Sequence, residues 1–342
     1  MLQNMVGNLH FFKIKETKMI IIDGCQYANW SEQIFQEMKE GGVSAVHVTV
    51  TYHEDFRETV ENIADWNRLF ERFSNYILPG RTVEDVYRAQ MEQRTAIIFG
   101  FQNCSPIEDD IGLVEICHQQ GARFMQLSYN NQSLLATGCY EDNDPGITRM
   151  GRQVIAEMNR VGLVVDMSHS ADRSTLDAIE ISERPIAITH ANPKFWHQAL
   201  RNKSDEVLKA LGQSGGMLGF SIYPHHLKGK SECTIDSFCE MIARTAELMG
   251  VDNIGIGSDL CQGQSDSVVE WMRVGRWTKQ IDYGEGSESD AGFPPMPSWF
   301  GGNRDFGNLV KGLQEYGFLK EDVKKIMGGN WLAFFEKSFG PA

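Results

Sequence analysis

The chain of 342 residues has no run approaching 18 consecutive apolar residues, which excludes a membrane-spanning helix. It has no basic excess: 46 Asp and Glu face 32 Lys and Arg, a formal charge of −14. A surface of that sign repels phosphate backbones, so nucleic acid is not an expected partner. The seven cysteines, at 25, 104, 117, 139, 233, 239 and 261, include no CxxC pair and are odd in number. The opening stretch MLQNMVGNLHFFKIKETKMIIIDG lacks the basic start, the apolar run and the small-residue cleavage site of a secretory signal. Together these absences lead us to expect reduced thiols, no disulfides and a cytoplasmic location. No Pro/Ser-rich linker, low-complexity tract or short repeat divides the chain. The expectation is one domain over 19–342, preceded by a peripheral extension at 1–18.

What is present is an ordinary globular balance, 42% hydrophobic and 23% charged, which excludes a disordered chain. Eight short β-branched or apolar runs read as strands, at 19–24, 43–50, 95–102, 123–130, 162–169, 185–190, 215–224 and 253–260. Their interiors are nearly all apolar, as parallel strands buried on both faces require. Helical stretches separate them, among them SEQIFQEMKEGG and ETVENIADWNRLFERFSNYI. Strand–helix alternation repeated eight times predicts an α/β fold, a (β/α)8 TIM barrel. The loop at 284–302 and helices near 303–338 read as a cap and a C-terminal helical wrap.

In such a barrel the site is built where the βα loops converge, at the C-terminal strand ends. Those ends carry Cys25, Tyr27, His47, Gln102, Tyr129, His169, His190, Tyr223, His225 and Asp259. A histidine at a strand end is commonly a hydrogen-bonded structural residue, and His47, His225 and His226 are read that way. His169 and His190 close adjacent runs and face one mouth with Asp259. Two imidazoles and a carboxylate suit a divalent metal with open positions, such as zinc or iron. A polar network in which Asp259 orients a neutral histidine fits the same residues.

At these positions the sequence resembles the membrane (renal) dipeptidase family of metal-dependent hydrolases, which have an amidohydrolase-like barrel. The resemblance rests on DMSH at 166–169, ITHANP at 188–193, Arg201-Asn202, GIGSDL at 255–260 and GGNWLAFF at 328–335. It implies two zinc ions bridged by a glutamate and a hydroxide that attacks a peptide carbonyl. His169 and His190 then match the histidines of one zinc, and Asp259 a carboxylate ligand of the other. Arg201 matches the arginine that grips the substrate carboxylate; without the resemblance it reads as a surface partner of Asp205.

The chain also departs from that pattern. Cys25-Gln26-Tyr27 stands where the family has His-x-Asp, Gln102 where it has the bridging Glu, and Tyr129 where it has a substrate-contacting His. Two dications close together need several anionic ligands. Here only Asp259 is ionised unaided, with Cys25 as a thiolate if a metal lowers its pKa. The expected site is therefore a single divalent ion on His169 and His190, completed by Gln102, water or Cys25, with Asp259 as general base. Arg201 and Tyr129 are the expected substrate contacts.

The function expected is dipeptidase-type hydrolysis of a C–N bond in a small carboxylate-bearing molecule, and the resemblance is compatible with a homodimer. Two other readings stand beside it. One is a barrel without catalysis that binds a quaternary amine in an aromatic cage around Tyr27 and Tyr129. The other is a mononuclear-metal enzyme of lyase or oxygen chemistry. Asp142 and Asp144 read as solvated turn residues; Trp30, Trp196, Trp299 and Tyr223 are candidates for an aromatic wall of the mouth, with core or interface packing the commoner role of such residues.

Overall fold

A computed structural model describes residues 19–276, 279–280, 284–289 and 291–339. The extension expected at 1–18 lies outside them. Nine strands are found among the described residues: β1 (Ile22–Gln26), β2 (Ala45–Thr51), β3 (Ile77–Pro79), β4 (Thr95–Phe101), β5 (Ala122–Gln126), β6 (Val164–Asp166), β7 (Ala187–Ala191), β8 (Met217–Phe220) and β9 (Ile254–Ile256). All pair in parallel, and β1, β2, β4, β5, β6, β7, β8 and β9 close into a ring through the β2–β4 and β1–β9 pairings. The eight runs read from the sequence are these eight strands, and the TIM barrel is the observed fold.

The short β3 escaped the sequence reading. The helix Phe56–Arg72, started by a reciprocal Asp55–Glu58 capping box, ends at Phe73, and Ile77–Pro79 then lies along the first half of β4. Three residues are too few to show a strand's alternation.

The C-terminal helix Asn330–Ser338 does more than wrap. Trp331 is fully buried and donates from Nε1 to the Ile256 carbonyl at 2.9 Å. Asn330 donates to the carbonyls of Val251 and Ile254 at 2.7 and 2.8 Å. With Phe124 and Phe335, Trp331 belongs to a core cluster that includes Ile22, Ala45, Ala96 and Ala187, so this helix packs against residues from several barrel strands. Among the described residues no helix is long and apolar enough to cross a membrane.

Two glycines let β7 approach its neighbours closely. A Cβ on Gly219 or Gly257 would lie 2.0 or 1.7 Å from the Thr189 carbonyl oxygen. Only glycine fits there, and this seats Thr189 and His190 deep within the ring of strands.

Candidate metal and substrate site

His169 lies three residues beyond β6, and His190 lies within β7. The Nδ1–H of His169 donates to Asn130 Oδ1 at 2.7 Å. His190 Nδ1 sits 2.9 Å from Thr189 Oγ1, and that hydroxyl gives its own proton to Asp166 Oδ2 at 2.6 Å, leaving it to accept from the imidazole. Both rings therefore carry their proton on Nδ1. Their two Nε2 atoms face each other at 3.1 Å, lone pair toward lone pair. Burial first, then the Arg201 charge, pushes both histidines well below their ordinary pKa, so a shared proton is not retained at neutral pH. Two converging lone pairs at that spacing suit adjacent ligands of one ion with bonds of about 2.0–2.1 Å.

Asp259 follows β9 with a left-handed backbone, φ 57°, a conformation that Asp tolerates better than most residues. Its N–H donates to the Cys25 carbonyl at 3.0 Å. One ligand atom each from Cys25, His190 and Asp259 all lie within 4.8 Å of one another. This cysteine–histidine–aspartate triad differs from the expected set led by His169 and His190: His169 stands beside it, against His190. Asp259 is not the firmly ionised carboxylate expected. Burial pushes it up to about 7, against the pull of Arg201, because desolvation penalises the anion.

Gln102, expected to offer a carbonyl oxygen to an ion, instead turns Nε2 onto Cys25 Sγ at 3.4 Å, Thr49 Oγ1 at 2.8 Å and the Tyr52 hydroxyl at 3.3 Å. Tyr129 stacks on the His169 ring with centroids 4.1 Å apart, while Tyr27 and Tyr52 meet edge to face at 4.9 Å. These rings pack on one another and on His169. Arg201 is buried, not a surface partner of Asp205. It donates to the Ser168 carbonyl and, at 3.3 Å, to that of His190, bracing the two histidine-bearing segments while lining the cavity.

A small cavity of about 70 Å³ lies beside these groups, bordered by Tyr129, His169, Arg201, Tyr223, His226 and Asp259, among others. The helix Asp266–Val274 lends it Val269, Met272 and Arg273. Cys25 and His190 are fully buried.

Several expectations need correction. His47 is not at the mouth, because β2 continues to Thr51; its Nδ1 lies 2.6 Å from the Gly24 carbonyl and its ring stacks on Phe124 inside the barrel. His225 and His226 do border the cavity, and His226 Nδ1 pairs with Ser221 Oγ at 2.9 Å. Asp144 is no solvated turn residue: it accepts from the Ser174 N–H and hydroxyl at 3.0 and 2.7 Å. Of the proposed aromatic wall only Tyr223 borders the cavity. Trp30 packs on Phe35 and Trp66, Trp299 on Phe238, and Trp196 meets Lys228 and Arg244.

Asn130, Thr189 and Asp166 were missed as site residues, although Asp166 and Thr189 were legible as polar residues inside apolar strand runs. A buried polar side chain needs a partner, and that is the signal they carry. Arg273 gave no such signal.

Comparison with known proteins identifies the family and supports the barrel fold. The profile of the family described as Membrane dipeptidase (Peptidase family M19) matches residues 19–280. The crystal structure of an amidohydrolase from Pseudomonas aeruginosa is 34% identical and superposes with a TM-score of 0.87, over 95% of this chain and 98% of that one. A metallo peptidase from Rhodobacter sphaeroides, liganded with a phosphinate mimic of the dipeptide L-Ala-D-Ala, shares the fold at 16% identity, with a TM-score of 0.77 over 94% of this chain and 99% of that one. Dipeptidase tcpJ of Claviceps purpurea is 24% identical over 285 residues, covering 82% of this chain and 59% of its own length. The chain spans about half to three-fifths of the length of the curated relatives it matches.

Proposed function

The chain belongs to the membrane dipeptidase family, peptidase family M19, and from that premise we propose that it is a metal-dependent hydrolase. Its reaction is cleavage of the C–N bond of a dipeptide or related amide in a small carboxylate-bearing molecule, with one divalent ion, zinc by its donor set. The observation that carries this reading is the pair of facing Nε2 lone pairs of His169 and His190 at 3.1 Å, which calls for a cation. His169 and His190 would hold the ion through these atoms, with Cys25 and Asp259, which stand within 4.8 Å of a His190 ring nitrogen, completing the set. A divalent ion bound there polarises the scissile carbonyl and lowers the pKa of water.

The protein's own groups supply the rest. Asp259, the carboxylate beside the ion, would accept a proton from the attacking water and return it to the leaving amine. Arg201, fixed by the carbonyls of Ser168 and His190, presents its remaining N–H groups to a substrate carboxylate. Val269 and Met272 of the covering helix shield the cavity from bulk water. Asp166 and Thr189 keep the His190 proton on Nδ1 and its Nε2 lone pair available.

The test is metal content and dipeptide turnover on the purified chain. About one tightly held ion and turnover that His190→Ala abolishes are expected. Protein that takes up no zinc and hydrolyses no dipeptide would overturn the reading. Tight binding of a quaternary amine by such protein would favour the ligand-binding barrel instead.

A further inference from the structure

Cys25 brings a sulfur into a site whose other donors are nitrogen and oxygen. Its Sγ is fully buried and lies within 4.8 Å of a ligand atom of both His190 and Asp259. Two polar groups approach the sulfur from beside the triad. Gln102 Nε2 donates to it at 3.4 Å, and Thr49 Oγ1 stands at 3.8 Å. Thr49 Oγ1 already accepts from Gln102 Nε2 at 2.8 Å, which leaves its own proton available for the sulfur. N–H and O–H groups directed at sulfur support it as an anion, and outer hydrogen bonds of this kind tune a metal ligand.

Building on the single-ion reading above, we propose that Cys25 binds that ion as a thiolate, with Gln102 as its hydrogen-bond donor and not as a ligand. The step is a proton exchange without redox change: the S–H bond breaks, its proton leaves to solvent, and the sulfur lone pair forms the metal bond. Thiolate and Asp259 carboxylate together balance one dication, whereas a second would leave two buried charges uncompensated. A sulfur, nitrogen and oxygen donor set prefers thiophilic or borderline ions (Zn2+, Co2+, Cd2+) over the oxygen-seeking Mg2+ and Mn2+. The site is thus selective for metal class as well as limited in number.

Cobalt reports this without any substrate. The full chain is stripped with chelator, reloaded with Co2+ and followed by absorption. The expected result is a near-ultraviolet thiolate-to-cobalt charge-transfer band that saturates at one ion per chain. That band is lost in Cys25→Ser and kept in Cys261→Ser, whose sulfur donates to the Asp259 carbonyl at 3.6 Å. Absence of cobalt binding, a bound cobalt without the band, a band that survives Cys25→Ser, or saturation at two ions would overturn the proposal. If Cys25→Ser does not fold, 113Cd NMR of the cadmium-loaded wild-type chain decides: a shift in the range of a sulfur-ligated cadmium is expected, and one in the range of nitrogen and oxygen ligands alone counts against ligation. A charge-transfer band without dipeptide turnover would leave the thiolate site standing and remove the hydrolase reading; turnover without the band would do the reverse.

Discussion

The backbone N–H of Asp259 donates to the carbonyl of Cys25 at 3.0 Å. That bond, joined by the Gln26–Leu260 bridge, ties the end of β1 to the turn after β9. It sets the carboxylate beside the thiol at the seam where the barrel closes. The left-handed φ of Asp259 is the conformational cost of this placement. Asp259→Gly should therefore be more stable than Asp259→Ala by about 1 kcal/mol, since only glycine is at ease there. Both variants lack the carboxylate, so urea midpoints compare the backbone alone; equal midpoints would show that no strain is stored.

Asp259 also sets a pH dependence in the metal-free protein. Its folded pKa, about 7, lies above the unfolded value near 3.8, so the fold takes up this proton first as pH falls. Protonation then stabilises the fold between about pH 7 and 4. The buried His169, His190 and His226 act oppositely: their folded pKa values lie below 6.5, and stability is lost as pH drops through that value. Asp259→Asn removes one counterweight. Its stability should fall relative to the parent by up to about 1.4 kcal/mol per pH unit between pH 7 and 4. Denaturation in chelator across that range tests it, and parallel curves for the two proteins would refute it.

Thr189→Val deletes the hydroxyl that accepts from His190 Nδ1 and donates to Asp166. Loss of such an outer partner lowers metal affinity by roughly 10–100-fold. Competition with a zinc-binding dye measures it, and unchanged affinity would mean that the relay does not orient the ligand.

Trp331→Ala should destabilise the protein by about 3–5 kcal/mol, the usual range for removing a fully buried large aromatic side chain. The Nε1 bond to the Ile256 carbonyl is lost with it. Because the rings Trp331 packs on, Phe124, Phe334 and Phe335, are not ligands, metal stoichiometry of the folded fraction should not change. A fall in stoichiometry at full folding would contradict that separation.

The barrel was legible because burial leaves a local record. A parallel strand covered on both faces reads as an apolar run, and the eight runs fell on the eight ring strands. The record fails for Ile77–Pro79, too short to show a pattern, and blurs at the ends. β2 runs on to Thr51, which moves His47 from the mouth into the interior. It fails also for Asp144, whose partner Ser174 stands thirty residues away. The site was half visible: His169, His190 and Asp259 could be named, whereas the turning of Gln102 toward the sulfur could not.

The sequence by itself determined the barrel, the family and the shortage of anionic ligands, since pattern and composition are properties of the chain. Tertiary structure alone decided that Cys25 joins His190 and Asp259, that Arg201 is buried as a brace, and that Asn130 and Thr189 fix where the histidine protons sit. Apart from the Thr189–His190 contact between chain neighbours, those facts depend on distances of a few ångströms between residues 11 to 234 positions apart. Such distances are set by how the strands close and how tightly glycine lets them approach.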